Sequence, residues 1–150
     1  MPDRRNLAKD LQRAGNGDDA GNAIGLDQDG AVYVAGTVQG TSSKDMVVLK
    51  YSPDGDLKWA RTYDRSGLDD RASAMVVTPQ GHCYVAGYTT SGETPNKDMT
   101  VIKVMPDGSL DWAKHASFGG SAALDDRATC IAIGATISLP LENIDLAEPQ

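Results

Sequence analysis

Three pairs of adjacent aspartates are the polar feature of this sequence that most resembles a binding site: Asp18-Asp19, Asp69-Asp70 and Asp125-Asp126. Hard cations such as Ca2+ take six to eight oxygen ligands, and two neighbouring carboxylates in a loop can supply two of them. None of the three loops has the D-x-[DN]-x-[DN]-G-x5-E spacing of a specific calcium site. An aspartate before a strand can instead accept hydrogen bonds from backbone N–H groups. We therefore predict capping, for these pairs and for Asp45 and Asp98, and no metal site.

Side chains for covalent catalysis are few, because the chain has two histidines and two cysteines. A nucleophilic Ser or Cys needs a base beside it, and we predict solvated surface positions for both His82, in a turn, and His115, in a strand. Cys83 and Cys130 form no CxxC pair, and we predict small buried apolar residues. The motifs GxxxxGK[ST], HExxH and GxSxG do not occur. We predict no catalytic residue and no cofactor, with a propeller hydrolase or lyase as a distant alternative.

The formal net charge of −7 disfavours two classes of partner. Nucleic acid binds through Lys and Arg that displace counterions from phosphates, and anionic membranes attract the same residues. No window of the sequence approaches the roughly 20 consecutive apolar residues of a membrane-spanning helix. The segment MPDRRNLAKDLQRAGNG lacks the apolar stretch of a secretory signal. We therefore expect no nucleic acid partner and no membrane insertion, and the sequence leaves the cellular location open.

An internal repeat organises the chain and positions all of these residues. The segment GAVYVAG (30–36) recurs as GHCYVAG (81–87), and KDMVVLKYSPDGDLKWA (44–60) recurs as KDMTVIKVMPDGSLDWA (97–113). A repeat spacing of roughly 50 residues is typical of solenoids and propellers. The turns DQDG, SPDG, TPQG and MPDG separate short apolar runs. They predict eight strands, near residues 20–27, 31–38, 45–52, 57–63, 71–78, 82–89, 98–105 and 110–117.

The composition of these strands favours one all-β architecture. VYVAG, MVVLKY, CYVAGY and MTVIKV are nearly continuous apolar runs, which are typical of sheets covered on both faces. The fourth strand of each repeat mixes charges with one tryptophan, as suits an outer edge. We predict antiparallel four-stranded blades in a partial β-propeller of about two complete blades plus flanking strands. Trp59 and Trp112 are predicted to pack across blade interfaces.

The repeat also predicts the divisions of the chain. We expect an outer-strand stub of a preceding blade (1–19), blade one (20–68), blade two (69–124), the inner strand of a third blade (125–134) and a divergent tail (135–150). Two blades expose two large apolar faces, and stacked repeats need neighbours to bury a continuous core. The chain is therefore expected to be part of a larger propeller or to form a homo-oligomer through its exposed blade faces.

The repeat resembles the bacterial seven-bladed β-propeller repeat (SBBP repeat) family, whose units read GxVYVAGxTxS and KDxxVxKYxPDGxLxWxRTYGGxxxDxA. Tyr33 to Gly36, Pro53 to Gly55 and Trp59 match this pattern in the first copy, as Tyr84 to Gly87, Pro106 to Gly108 and Trp112 do in the second. The resemblance implies a noncatalytic interaction module, since longer relatives are envelope or extracellular proteins. A protein or glycan ligand would meet the loops TVQGTSSKD and TTSGETPNKD, although their composition equally suits solvated loops. The alternative is a truncated structural remnant.

Overall fold

The described part of the chain folds into strands, turns and loops. A computed structural model describes residues 17–92, 96–118 and 125–134. No helix occurs in these ranges, and so none there has the length and apolar character that a membrane span requires. The strands are β1 (Ala20–Leu26), β2 (Val32–Gln39), β3 (Lys44–Tyr51), β4 (Leu57–Tyr63), β5 (Arg71–Val77), β6 (Cys83–Ser91), β7 (Asn96–Val104) and β8 (Leu110–Ala116). The all-β prediction is confirmed, and each strand end lies within about two residues of its expected place.

The strands form two four-stranded antiparallel sheets, ordered β1-β2-β3-β4 and β5-β6-β7-β8. We call them blade one and blade two. Both blades have register shifts at the same places, between their first and second strands and between their third and fourth strands. Gly36 and its counterpart Gly87 allow the first strand to approach, since a Cβ at either position would strike the carbonyl of Ala20 or Arg71. The sequence repeat is thus a repeat of backbone geometry.

The main core lies between the two blades. Tyr33, Met46 and Val48 of blade one have no exposed surface, and they pack with Val85 and Ile102 of blade two in one cluster. Each such side chain contributes roughly 1.5–3 kcal/mol by leaving water. The strands at this junction are covered by the neighbouring sheet, which is the reason that the sequence analysis gives for their continuous apolar runs. Cys83 belongs to this core with no exposed surface, as predicted.

Trp59 joins the outer parts of the two blades. Its indole Nε1 donates to the carbonyl of Pro106, at 3.0 Å, in the β7–β8 turn of blade two. Arg61 donates from Nε to the carbonyl of Gly108 in the same turn, at 2.8 Å. The predicted interface role of Trp59 is confirmed. Trp112 packs on Tyr84 of its own blade, with ring centroids 6.1 Å apart, so its role between blades stays a prediction.

Residues 125–134 follow blade two without joining a sheet. No strand occurs among these ten residues, where the sequence predicts an inner strand. Such a strand pairs with the second strand of its own blade, and no VYVAG-like segment follows it in the sequence. Cys130 lies in this segment and is exposed. Its predicted burial is wrong, because the strand that would place it in a core does not form. The predicted tail at 135–150 and most of the stub at 1–19 lie outside the described residues.

Candidate functional site

The second acidic pair connects the two blades through the backbone. Asp69 accepts a hydrogen bond at Oδ1 from the backbone N–H of Lys44, the first residue of β3, at 2.9 Å. The N–H of Asp70 donates to the carbonyl of Lys44 at 2.6 Å. Blade two therefore begins with two hydrogen bonds to the third strand of blade one.

Asp70 lies deeper than Asp69 and joins two further segments. Its side chain is buried, and its oxygens accept from the backbone N–H groups of Thr90, at 3.0 Å, and Arg65, at 2.9 Å. Burial raises the pKa of this carboxyl to about 6, although the two hydrogen bonds act in the opposite direction. Asp70 thus fixes the end of β6 against the β4–β5 connection.

The other two pairs repeat parts of this arrangement. Asp125 accepts from the backbone N–H of Lys97 at 3.3 Å, and the N–H of Asp126 donates to the carbonyl of Lys97 at 2.7 Å. Asp126 also accepts at Oδ2 from the N–H of Phe118 at 2.8 Å. Asp19 accepts from the N–H of Gln39 at 2.8 Å. The capping prediction is confirmed for these carboxylates, because each one receives backbone N–H groups.

The same carboxylates do not converge as metal ligands. Among the described residues, no three His, Cys, Asp or Glu side chains are placed to hold a metal ion together. Asp98 of blade two forms an ion pair with the guanidinium of Arg65, in the β4–β5 connection, at 2.5 Å. Burial tends to raise the pKa of Asp98, but the bonds from Arg65 and Ser91 outweigh it and hold this pKa below its ordinary value. Asp98 accepts from the side chains of Arg65 and Ser91, and Asp45 accepts from the hydroxyl of Ser43 at 3.2 Å. Within the described residues, neither carboxylate is shown to cap a backbone N–H group, so the capping prediction is not met at these two positions.

A polar cluster at the junction surrounds His115. Its Nδ1 lies 2.9 Å from Oγ1 of Thr100 and 3.3 Å from Oγ1 of Thr89, and its Nε2 lies 3.2 Å from the hydroxyl of Tyr63 in blade one. Burial and the nearby charge of Arg65 lower the pKa of the imidazole. His115 is exposed at its edge, as predicted, but the prediction missed its contacts across the blades.

This cluster has residue types that occur in catalytic sites, but its threonine hydroxyls are not accessible to a substrate. A threonine with a histidine beside it resembles an activated nucleophile. Thr100 and Thr89 have no exposed surface, so a substrate cannot reach either hydroxyl. Burial raises the pKa of Tyr63, which keeps its hydroxyl protonated. The contacts of the cluster join the two blades instead.

A cavity of about 270 Å3 opens on the rim beside the acidic pair. Side chains of both blades line it, including Asp18, Thr37, Lys44, Asp69, Arg71 and Tyr88. Thr37 is 7% exposed, and its hydroxyl is buried with no hydrogen-bond partner. Buried polar groups normally have a partner, so this hydroxyl is an unsatisfied group enclosed behind the wall of the cavity. No motif in the sequence indicates this cavity, because Thr37 belongs to a largely apolar strand.

The predicted binding loops lie near a second opening on the same rim. Ser42 and Ser43, from the β2–β3 connection, and Lys97, near the start of β7, line a cavity of about 360 Å3. Residues 93–95 of the second loop lie outside the described ranges. His82 does not take part in either opening. It is half-buried with Nδ1 enclosed and unpaired, so its predicted solvated position is wrong.

Comparison with known proteins adds no family assignment. The sequence matches no model of a known protein family and none of the curated proteins.

Proposed function

We propose that this chain is a noncatalytic β-propeller repeat module that binds carbohydrate or protein at its rim, as part of a larger propeller assembly. The resemblance to the bacterial seven-bladed repeat supports this reading. The fold supports it as well, because propellers present loops on a rigid stack of blades. The cavity at the junction of the blades is the observation that carries the proposal.

The lining of that cavity favours a polar ligand with many hydroxyl groups. Lys44 and Arg71 offer N–H donors, and Asp18 and Asp69 offer acceptors. The mixed charges suit an uncharged ligand better than a strongly anionic or cationic one. Tyr88 adds an aromatic ring, which Lys97 and Arg127 already approach at 5.5 and 5.4 Å from its centroid. A glycan has the required mixture of donors, acceptors and apolar C–H surface.

The test combines a screen with one substitution in the lining of the cavity. A glycan array and a peptide display library identify the ligand, and isothermal titration calorimetry measures its affinity. Arg71→Gln removes a charged donor from an exposed lining side chain, so the fold should keep its stability while the affinity falls roughly tenfold or more. Lys58→Gln, on an exposed residue of β4 that does not line the cavity, is the matched control.

Two results would contradict the proposal. Equal loss of affinity in Arg71→Gln and Lys58→Gln would show that the ligand does not bind in the cavity. A well-folded chain that binds neither glycans nor peptides would favour the alternative, a structural remnant.

A further inference from the structure

The segment 125–134 begins as the first strand of a third blade would begin. Its acidic pair, Asp125-Asp126, bonds with the backbone N–H of Lys97 at 3.3 Å and with the carbonyl of Lys97 at 2.7 Å. The pair Asp69-Asp70 makes the same two bonds with Lys44 before β5 starts. Because Lys44 and Lys97 hold equivalent positions in the third strands of the two blades, the segment continues the stacking of blade two on blade one.

The second aspartate of each pair shows what this segment lacks. In the two complete blades its Oδ1 accepts from an N–H near the end of the second strand of the same blade, Asp19 from Gln39 at 2.8 Å and Asp70 from Thr90 at 3.0 Å. Asp126 holds the same position, and its Oδ2 already accepts a backbone N–H from just after β8, at 2.8 Å. Within the described ranges, no second strand of a third blade donates to its Oδ1. This oxygen is therefore placed to accept an N–H from such a strand.

The rest of the segment is unpaired where the first strands of both blades are paired. β1 pairs with β2, and β5 pairs with β6, from end to end. Residues 127–133 pair with no strand in the described part of the chain. Ile133 is 49% exposed, although its equivalent in blade two, Val77, packs into the core between the blades. The segment thus combines the sequence of a first strand with an open edge, and open edges readily pair with other chains.

The two complete blades also show which kind of strand fits this edge. In each of them a glycine of the second strand, Gly36 in β2 or Gly87 in β6, faces the start of the first strand. A Cβ at either glycine would strike a backbone carbonyl of that first strand. In the segment 125–134 the equivalent carbonyl is that of Arg127. A strand that pairs here in the same register therefore needs glycine at this place, after the apolar residues of a VYVAG sequence.

The two strands of this kind in the sequence are already in use. VYVAG belongs to β2, which pairs with β1 and β3, and CYVAG belongs to β6, which pairs with β5 and β7. The sequence of residues 135–150 contains no glycine. The strand that completes this edge is therefore expected from another repeat.

We propose that residues 127–133 are a β-augmentation site, at which an extended VYVAG-type segment of another polypeptide's propeller repeat adds as the second strand of a third blade. Main-chain hydrogen bonds along the edge supply the affinity, and the required glycine supplies the specificity. The arriving strand donates an N–H to Oδ1 of Asp126, as Thr90 does to Asp70. The site goes beyond the rim cavity, because none of residues 127–133 lines that cavity.

Hydrogen–deuterium exchange of the full chain, read by mass spectrometry, locates the added strand. The probe is a synthetic peptide with the sequence of residues 27–39, DQDGAVYVAGTVQ. Without the peptide, the amides of residues 127–133 should exchange fast. Saturating peptide should slow their exchange roughly tenfold or more, because pairing removes them from water. The amides of β1, which are paired already, should not change.

Two variants of the peptide test the register. Gly36→Ala should raise the dissociation constant roughly tenfold or more, because its methyl group would strike the carbonyl of Arg127. Gly30→Ala makes the same change outside the paired strand, so it is the matched control and should leave the dissociation constant unchanged. Equal affinity of the two variant peptides would overturn the proposal.

Two variants of the chain test the place of binding. Ile133→Asp puts a charge on the side of the new strand that faces blade two, and it should raise the dissociation constant of the peptide roughly tenfold. Leu26→Asp is the control, because Leu26 holds the equivalent position in β1, is 60% exposed and lies in a strand that is already paired. Equal losses in the two variants would place the peptide elsewhere. Slow exchange of residues 127–133 in the free chain, unchanged by the peptide, would also contradict the proposal, since the chain's own residues would then cover this edge.

Discussion

Replacement of Gly108 by alanine tests the packing of Trp59 between the blades, with Gly55→Ala as its internal control. Both glycines end equivalent turns, with φ of 85° and 90°, so an alanine meets the same backbone strain at either position. They differ in their surroundings. The new Cβ would lie 2.9 and 3.0 Å from ring atoms of Trp59 at Gly108, and would meet nothing within 4 Å at Gly55.

These contacts determine how much free energy of unfolding each variant should lose. A left-handed backbone costs an L-residue roughly 1–2 kcal/mol, while the loss of glycine's freedom in the unfolded chain returns about 0.4–1 kcal/mol. Gly55→Ala should therefore lower the free energy of unfolding by about 1 kcal/mol. Gly108→Ala adds an overpacking cost of roughly 1–3 kcal/mol. The Trp59 ring cannot retreat freely, because its Nε1 is bonded to Pro106 in the same turn.

Urea unfolding followed by far-ultraviolet circular dichroism measures both variants, at protein concentrations where the chain is a monomer. The free energy of unfolding of Gly108→Ala should lie about 1–3 kcal/mol below that of Gly55→Ala, with similar slopes in urea. Equal losses in the two variants would refute the reasoning, because the Trp59 ring would then not fill the space beside Gly108.

Two further substitutions or probes test other parts of the structure. Burial raises the pKa of Asp70 in the folded chain to about 6, compared with about 3.9 in the unfolded chain. The stability linked to this group is therefore fully present below about pH 3.9 and is lost as the pH rises through about 6. The free energy of unfolding of the wild type, relative to that of Asp70→Asn, should therefore fall by up to about 3 kcal/mol between about pH 4 and pH 7. If the difference in free energy between the two proteins stays constant over this range, the buried carboxyl does not titrate as described. Cys130 is exposed, whereas Cys83 has no exposed surface and burial raises its thiol pKa to about 12. A maleimide should therefore label one thiol of the native chain and both in denaturant, and equally fast labelling of both would place Cys83 outside the core.

The fold was predictable because the repeat constrains it twice. Each turn signal and each apolar run occurs in two copies, so an assignment made in one copy is checked in the other. The capping role of the acidic pairs followed from their position before the first strand of each repeat. The absence of a strand at residues 125–134 was not predictable in this way, because a first strand needs the second strand of its own blade, and the repeat motif identifies none after residue 134.

The contacts across the junction could be predicted only in part. The recurrence of Trp59 as Trp112 predicts a place at the interface, but the polar cluster of Tyr63, Arg65 and His115 does not recur in the other copy. Its members come from different blades, and only the stacking of the blades brings them together. The unpaired hydroxyl of Thr37 depends on the same stacking, because a sequence does not show which polar atoms the neighbouring blade leaves without a partner.

The stacking of the two blades is the central claim, and one nuclear Overhauser measurement tests it most directly. The indole N–H of Trp59 should show cross-peaks to protons of Pro106 and Gly108, since the Nε1 to Pro106 carbonyl distance is 3.0 Å. Assigned spectra in which this N–H has cross-peaks to neither residue, in a folded chain, would contradict the stacking of blade one on blade two.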